Sequence, residues 1–235
     1  MSATFASAQP GHRQEIPLLR SLDLAGPVGR LEALLNEGAP NAPFAALVCH
    51  PHPLHGGNLH NKVVYNAMKA LNDPAWGFAL PVLRFNFRGA GLSQGTHDGR
   101  AEIADVLTAL NWLEAEYHRP LIAIGFSFGA AMTLQACCTQ QPTRPSLRAL
   151  VALGLPTEAD GHHYHYPCLQ SCTTPKLFLS GDRDQYAPAP QLTQLAASAD
   201  EPKRLALIPG ADHFFTGHLL AMQTTLAAWL KEQCS

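Results

Sequence analysis

The 235-residue chain is expected to fold as an α/β protein: a mostly parallel central sheet of about eight strands with helices on both faces. Three observations carry that expectation. Short apolar runs alternate with helix-like segments along most of the chain, the pattern of parallel strands joined by crossover helices. Runs such as Leu121-Ile122-Ala123-Ile124 are apolar throughout, as strands buried on both faces require. Three groups able to do chemistry each follow the end of such a run, and an open α/β sheet gathers groups at the carboxyl ends of its strands on one edge.

The elements follow in order. Residues 1–15 are expected to be loosely ordered within a single domain spanning 1–235. Segments 16–24 and 28–35 read as antiparallel edge strands. Ala45–Cys49 is a buried strand leading into His50-Pro51-His52-Pro53-Leu54-His55-Gly56-Gly57. Next come a helix over 61–71, a strand over 82–87 and a helix over 100–117. Leu121–Phe126 is a strand and 127–138 a helix. Strands at 149–154, 176–180 and 204–208 follow, with helices at 189–197 and 216–231. The interval 156–174 is too short for a helical cap domain. An open, shallow site is therefore expected, with Gly161-His162-His163-Tyr164-His165-Tyr166-Pro167 on its rim. Such a site suits small or surface-presented acyl groups.

The most specific motif is Gly125-Phe126-Ser127-Phe128-Gly129, placed between a strand and a helix. A serine on so tight a turn presents its hydroxyl above the sheet edge. Side chains two residues to either side would collide, hence glycine at both places. The helix N-terminus beneath it favours developing negative charge. Two partners follow in the chain. One run ends in Ser180-Gly181-Asp182-Arg183-Asp184 and another in Pro209-Gly210-Ala211-Asp212-His213. Serine, acid, histidine is the chain order of the α/β-hydrolase arrangement. Asp184 is the favoured acid, a few residues past its strand. Asp182 is the other candidate and could instead fix the turn by an Asx-type bond. Asp212 adjoins His213 too closely to orient the ring and reads as a loop-shaping residue. In these roles Ser127 is the nucleophile, His213 the base and Asp184 the group that holds the imidazole. Two N–H donors must meet the oxyanion. Phe128, following the nucleophile, supplies one. In the loop after Cys49 the prolines have no N–H, which leaves His52 and Leu54; His52 is favoured.

The segments His50-Pro51-His52-Pro53-Leu54, Gly56-Gly57, Asn61-Lys62-Val63-Val64 and Leu83-Arg84-Phe85-Asn86-Phe87-Arg88-Gly89-Ala90-Gly91-Leu92-Ser93 resemble those of the small, lid-poor, mostly bacterial α/β-hydrolases regarded as carboxylesterases or serine hydrolases. These are related to the dienelactone-hydrolase group. The resemblance runs from about Leu31 to the C-terminus. It implies an α/β-hydrolase fold without a large lid, a triad of Ser127, Asp184 and His213, and no cofactor. Dienelactone hydrolases proper carry a cysteine nucleophile where this chain has Ser127. The function expected is cleavage of small carboxylic esters through an acyl-enzyme. Peptidase or thioesterase chemistry on the same triad is the alternative, and a non-catalytic binding protein the alternative of another class.

Composition excludes other classes. A net charge of −2 leaves no basic footprint for nucleic acid. No apolar run approaches the roughly 20 residues of a membrane span, and the N-terminus has no secretory h-region. The expected setting is cytoplasmic, the expected partner a small acyl ester, and a monomer and a homodimer are both open. The six cysteines show no paired CxxC metal spacing and are expected as reduced thiols, with Cys168–Cys172 a minor pairing alternative. The histidines at 50, 52, 55 and 60 and at 162, 163 and 165 lack an accompanying acid at metal-site spacing, so no metal is expected. Gly89-Ala90-Gly91-Leu92-Ser93-Gln94-Gly95 is one residue longer than the dinucleotide fingerprint and reads as a strand-to-loop turn.

Overall fold

The N-terminal hairpin follows from its side-chain pattern. β1 (Leu19–Gly26) and β2 (Gly29–Asn36) pair antiparallel around Pro27 and Val28. On β2 only Leu31, Ala33 and Leu35 are buried, every second residue, as on a strand covered on one face. The structure, a computed structural model, describes residues 18–139, 145–159 and 162–234. The expected strand start at residues 16 and 17, the expectation of loose order for 1–15 and Gly161 of the expected rim lie outside the described residues.

Strands β3 (Ala45–Cys49), β4 (Val82–Phe85), β5 (Leu121–Phe126) and β9 (Lys176–Gly181) are buried along their whole length. With β6 (Leu147–Leu153) and β10 (Lys203–Ile208) they complete one eight-stranded sheet in the order β1-β2-β4-β3-β5-β6-β9-β10. The β1–β2 and β2–β4 pairings are antiparallel and the rest parallel. Alternation along the strands divides two cores. On β5, Leu121 and Ala123 face a core closed by α2 (Glu102–Tyr117), α3 (Phe128–Cys138) and α4 (Ala189–Ser198). Ile122, Ile124 and Phe126 face the other, closed by α1 (Lys62–Asn72) and α5 (Leu219–Cys234). Every residue of α3 except Gln135 is buried, so the helix bearing the serine motif is fixed on all sides.

Boundaries depart from the expected ones for local reasons. β4 stops at Phe85 although Asn86 N–H still reaches Glu32 O of β2 at 2.8 Å: Ser93 Oγ takes the reciprocal Glu32 N–H at 2.9 Å and donates to Asn86 O, and the next N–H, of Phe87, bonds His50 Nε2 at 3.0 Å. α5 begins at Leu219 rather than 216 because Thr216 N–H is held by Asp212 Oδ1 at 2.8 Å in the preceding turn. In the interval after β6, the two-residue strands β7 (Glu158–Ala159) and β8 (His162–His163) pair antiparallel, and a 3₁₀ turn spans Pro167–Ser171. No helical cap stands there among the described residues.

The cysteine expectation is corrected. Cys138 and Cys172 form a disulfide with their Cα atoms 5.0 Å apart, a separation suited to the bond. The 3₁₀ turn lays Cys172 against the last turn of α3, whereas the pairing weighed from sequence was Cys168 with Cys172. Cys49 is a buried thiol as expected. No helix among the described residues is long and apolar enough to cross a membrane.

Candidate active site

Register sets the site. Phe126 of β5 lies beside Leu153 of β6, Leu153 beside Leu179 of β9, and Gly181 of β9 beside Ile208 of β10. The loops after β5, β9 and β10 therefore open at one edge and bring Ser127, Asp184 and His213 together. Ser127 adopts φ 56° and ψ −121°, a conformation that side-chain-bearing residues rarely take, and its N–H is tied to Leu153 O at 2.9 Å. The flanking glycines are sterically required. A Cβ on Gly125 would strike Gly129 O and Ala130 N, and one on Gly129 would strike His50 O and lie 2.6 Å from Cys49 O.

His213 Nε2 is 3.0 Å from Ser127 Oγ, and His213 Nδ1 is 2.9 Å from both carboxylate oxygens of Asp184. An ionised carboxylate only accepts, so the proton resides on Nδ1 and the Nε2 lone pair faces the serine. Asp184 is 3% and His213 2% exposed, so neither exchanges its partner for water. Burial pushes the Asp184 pKa up, but hydrogen bonds outweigh it and hold the carboxyl below its ordinary value. Those bonds come from His213, from Ser180 Oγ at 2.7 Å and from Tyr186 N–H at 2.9 Å. Phe126, Tyr186 and Phe214 surround the imidazole with ring centroids 5.0, 4.6 and 5.1 Å from it.

The structure separates the three aspartates considered. Asp184 meets the histidine. Asp182 Oδ1 accepts from Gly210 N–H at 2.7 Å, so it joins the β9 and β10 loops rather than closing its own turn. Asp212 shapes the loop before α5, as expected, by accepting from Thr216 N–H.

The loop after β3 packs over the serine. His50 is fully buried and joins two strand ends: Nε2 accepts from Phe87 N–H, so the proton sits on Nδ1 and is donated to Pro51 O at 2.6 Å. Burial lowers its pKa to about 4, keeping the ring neutral. Leu54 N–H is directed at His52 Nδ1 at 3.3 Å and so is engaged within the loop. Gly57 is where the chain approaches itself closely, since a Cβ would strike Pro51 O. The imidazoles of this loop stay in protein contacts: His52 and His55 stack at 4.6 Å, and His52 lies 5.0 Å from the Phe128 ring. No group of three or more His, Cys, Asp or Glu residues placed to hold a metal occurs among the described residues. The glycine-rich turn after β4 is tied to β2 through Ser93, which donates to Asn86 O at 2.6 Å and accepts from Glu32 N–H at 2.9 Å.

A cleft of about 220 Å³ opens over Ser127, His213, His52 and Phe128, with Tyr164 of the expected rim in its wall. Sequence reasoning missed Ser180, His50 and the rings of Tyr186 and Phe214. Only the adjacency of Tyr186 to Asp184 and of Phe214 to His213 could have signalled the last two.

Comparison with known proteins agrees with this fold. The chain is 39% identical over 199 residues to an uncharacterized protein of Rickettsia prowazekii, covering 81% of this chain and 79% of that one. An alpha-beta serine hydrolase homologue from Coxiella burnetii superposes with a TM-score of 0.79 at 32% identity, over 90% of this chain and 97% of that one. A Xanthomonas campestris protein described as an a/b serine hydrolase without lid gives 0.80 at 28% identity, over 95% and 97%. Residues 63–234 match the sequence pattern of the alpha/beta hydrolase domain family, and with the fold in agreement the chain belongs to that family.

Proposed function

We propose that this protein is a serine hydrolase that cleaves small carboxylic esters through an acyl-enzyme. The observation that carries the reading is the hydrogen-bonded series Ser127 Oγ, His213 Nε2, His213 Nδ1, Asp184, with the serine at a strained positive φ. A serine hydroxyl is a weak nucleophile until a base takes its proton. As Ser127 Oγ bonds to the ester carbon, its proton passes to His213 Nε2, and Asp184 stabilises the imidazolium. The carbonyl oxygen becomes an oxyanion. The N–H of Phe128 and the N–H of His52 are assigned as its donors, since Leu54 N–H is engaged by the His52 ring. The ester C–O bond then breaks and His213 returns the proton to the leaving alcohol. Water repeats the sequence on the acyl-serine, releasing the acid and restoring Ser127.

The test needs no substrate. A fluorophosphonate probe should add once to the wild type, seen by intact mass, and not to Ser127→Ala. Folded wild-type protein without an adduct would remove the reading and leave a non-catalytic binding protein.

A further inference from the structure

Resting on the esterase reading, we infer that the cleft selects esters bearing a planar aromatic ring over saturated esters of the same size. The walls carry the inference. Apart from Ser127 and His213, the large side chains of the lining are rings: His52, His55, Phe128, Tyr164, Tyr186 and Phe214, with two prolines, an asparagine and two glycines between them. No Leu, Ile, Val or Met lines the cleft among the described residues, although such residues fill both cores beneath it. The rings come from five separate parts of the chain. His52 and His55 lie after β3, Phe128 at the start of α3, Tyr164 after β8, Tyr186 after β9 and Phe214 after β10, so no single motif imposes them.

Their mutual geometry is that of aromatic packing. The His52 and His55 rings stack with an interplanar angle of 24°, on the loop assigned to the oxyanion. Tyr186 and Phe214 stand edge-on to His213 at 64° and 83°, beside the ring proposed to protonate the leaving alcohol. A ring with a negative face and a positive edge meets such walls in offset or edge-to-face contact. A cyclohexyl group has no such charge pattern and makes only dispersion contacts. A long alkyl chain meets only Pro51 and Pro156 as aliphatic wall. At about 220 Å³ the cleft lies below the roughly 300–1,000 Å³ of pockets for drug-sized ligands, room for one ring on a short chain.

The test uses pairs of matched size and divides each kcat/KM by the ester's own hydroxide-catalysed rate constant, which removes the ring's inductive effect on reactivity. Methyl phenylacetate is set against methyl cyclohexylacetate, and benzyl acetate against cyclohexylmethyl acetate, with kcat/KM followed by acid release. The aromatic member of at least one pair should be favoured by about fivefold or more. Phe214→Leu and Tyr164→Leu should each cut that ratio at least by half. Equal normalised rates within both pairs, or preference for the saturated member, would overturn the inference and leave the esterase reading standing. Hydrolysis of none of the four would overturn the inference, and with no fluorophosphonate adduct either it would remove the esterase reading as well.

Discussion

At the residue scale, Ser127 is held in its unusual backbone conformation by what surrounds it. A non-glycine residue at positive φ costs about 1–3 kcal/mol and persists only where neighbours dictate it. Here the Leu153 carbonyl fixes the Ser127 N–H, and the close approach of β5, α3 and the β3 loop is possible only without side chains at 125 and 129. Gly129→Ala tests this. Its methyl meets backbone carbonyls of His50 and Cys49 rather than a side chain that could swing away. Either α3 or the β3 loop must shift, and the serine or its assigned oxyanion donors move with it. A displacement of about 1 Å in such a site costs on the order of 10²-fold in rate. The fluorophosphonate labelling rate of Gly129→Ala should fall by about that factor while the protein remains folded by circular dichroism. An unchanged rate would show that the contact relaxes without disturbing the site. The neighbouring aspartates show what a motif leaves unsaid. Asp182 and Asp184 share one short loop, and their spacing from the strand end favours Asp184 without showing that Asp182 reaches Gly210 on another loop.

At the scale of elements, a buried ion pair fastens the turn after β4 to α2. Asp105 accepts from Arg88 through Nε at 3.0 Å, through the terminal guanidinium nitrogen at 2.7 Å and through the Arg88 N–H at 3.1 Å. The two side chains are 6% and 0% exposed. Removing one partner strands the other charge away from water, which costs about 3–5 kcal/mol. Asp105→Asn should therefore lower the unfolding free energy in urea by an amount of that order. A loss under about 1 kcal/mol would mean that the loop opens to hydrate Arg88. Arg88 lies in a segment that carries the family resemblance, but its pairing with Asp105 was not legible, because it depends on how the turn folds back over α2. The elements themselves were legible: β3 and β5 begin and end as expected, since a run of apolar residues bounded by loop signals needs no distant information. The end of β4 was not, because it depends on Ser93 inserting its hydroxyl between Glu32 and Asn86 and on His50 claiming the Phe87 N–H. The same limit hid the Cys138–Cys172 bond. Its halves lie 34 residues apart and meet only through the 3₁₀ turn between them.

At the scale of the whole molecule, the site depends on the sheet holding several loop bases in fixed register, and His50 is the link between two of them. It directly follows β3, accepts the Phe87 N–H beyond β4, and its carbonyl lies over Gly129 at the start of α3. This gives stability a pH dependence that can be worked out. In the fold burial lowers the His50 pKa from 6.5 to about 4. Protonation would also turn Nε2 into a donor facing the Phe87 N–H. Between those two pH values the unfolded chain binds a proton that the folded chain refuses. The contribution is fully present above about pH 6.5 and is lost as pH falls toward 4. At about 1.4 kcal/mol for each pH unit, His50 withdraws about 3 kcal/mol across that window. Asp184 acts in the same direction but lower, because its carboxyl is held below the ordinary carboxylate value and loses its stabilising bonds only as it protonates. The two effects therefore separate along the pH axis. Urea unfolding free energies of the wild type should decline between pH 6.5 and 4. His50→Gln, which keeps an acceptor for Phe87 N–H but does not titrate, should be less stable at pH 7 and decline less steeply over the same interval. Parallel pH curves for the two proteins would mean that His50 protonates in the fold as it does in the unfolded chain, and that the β3 loop is open to water.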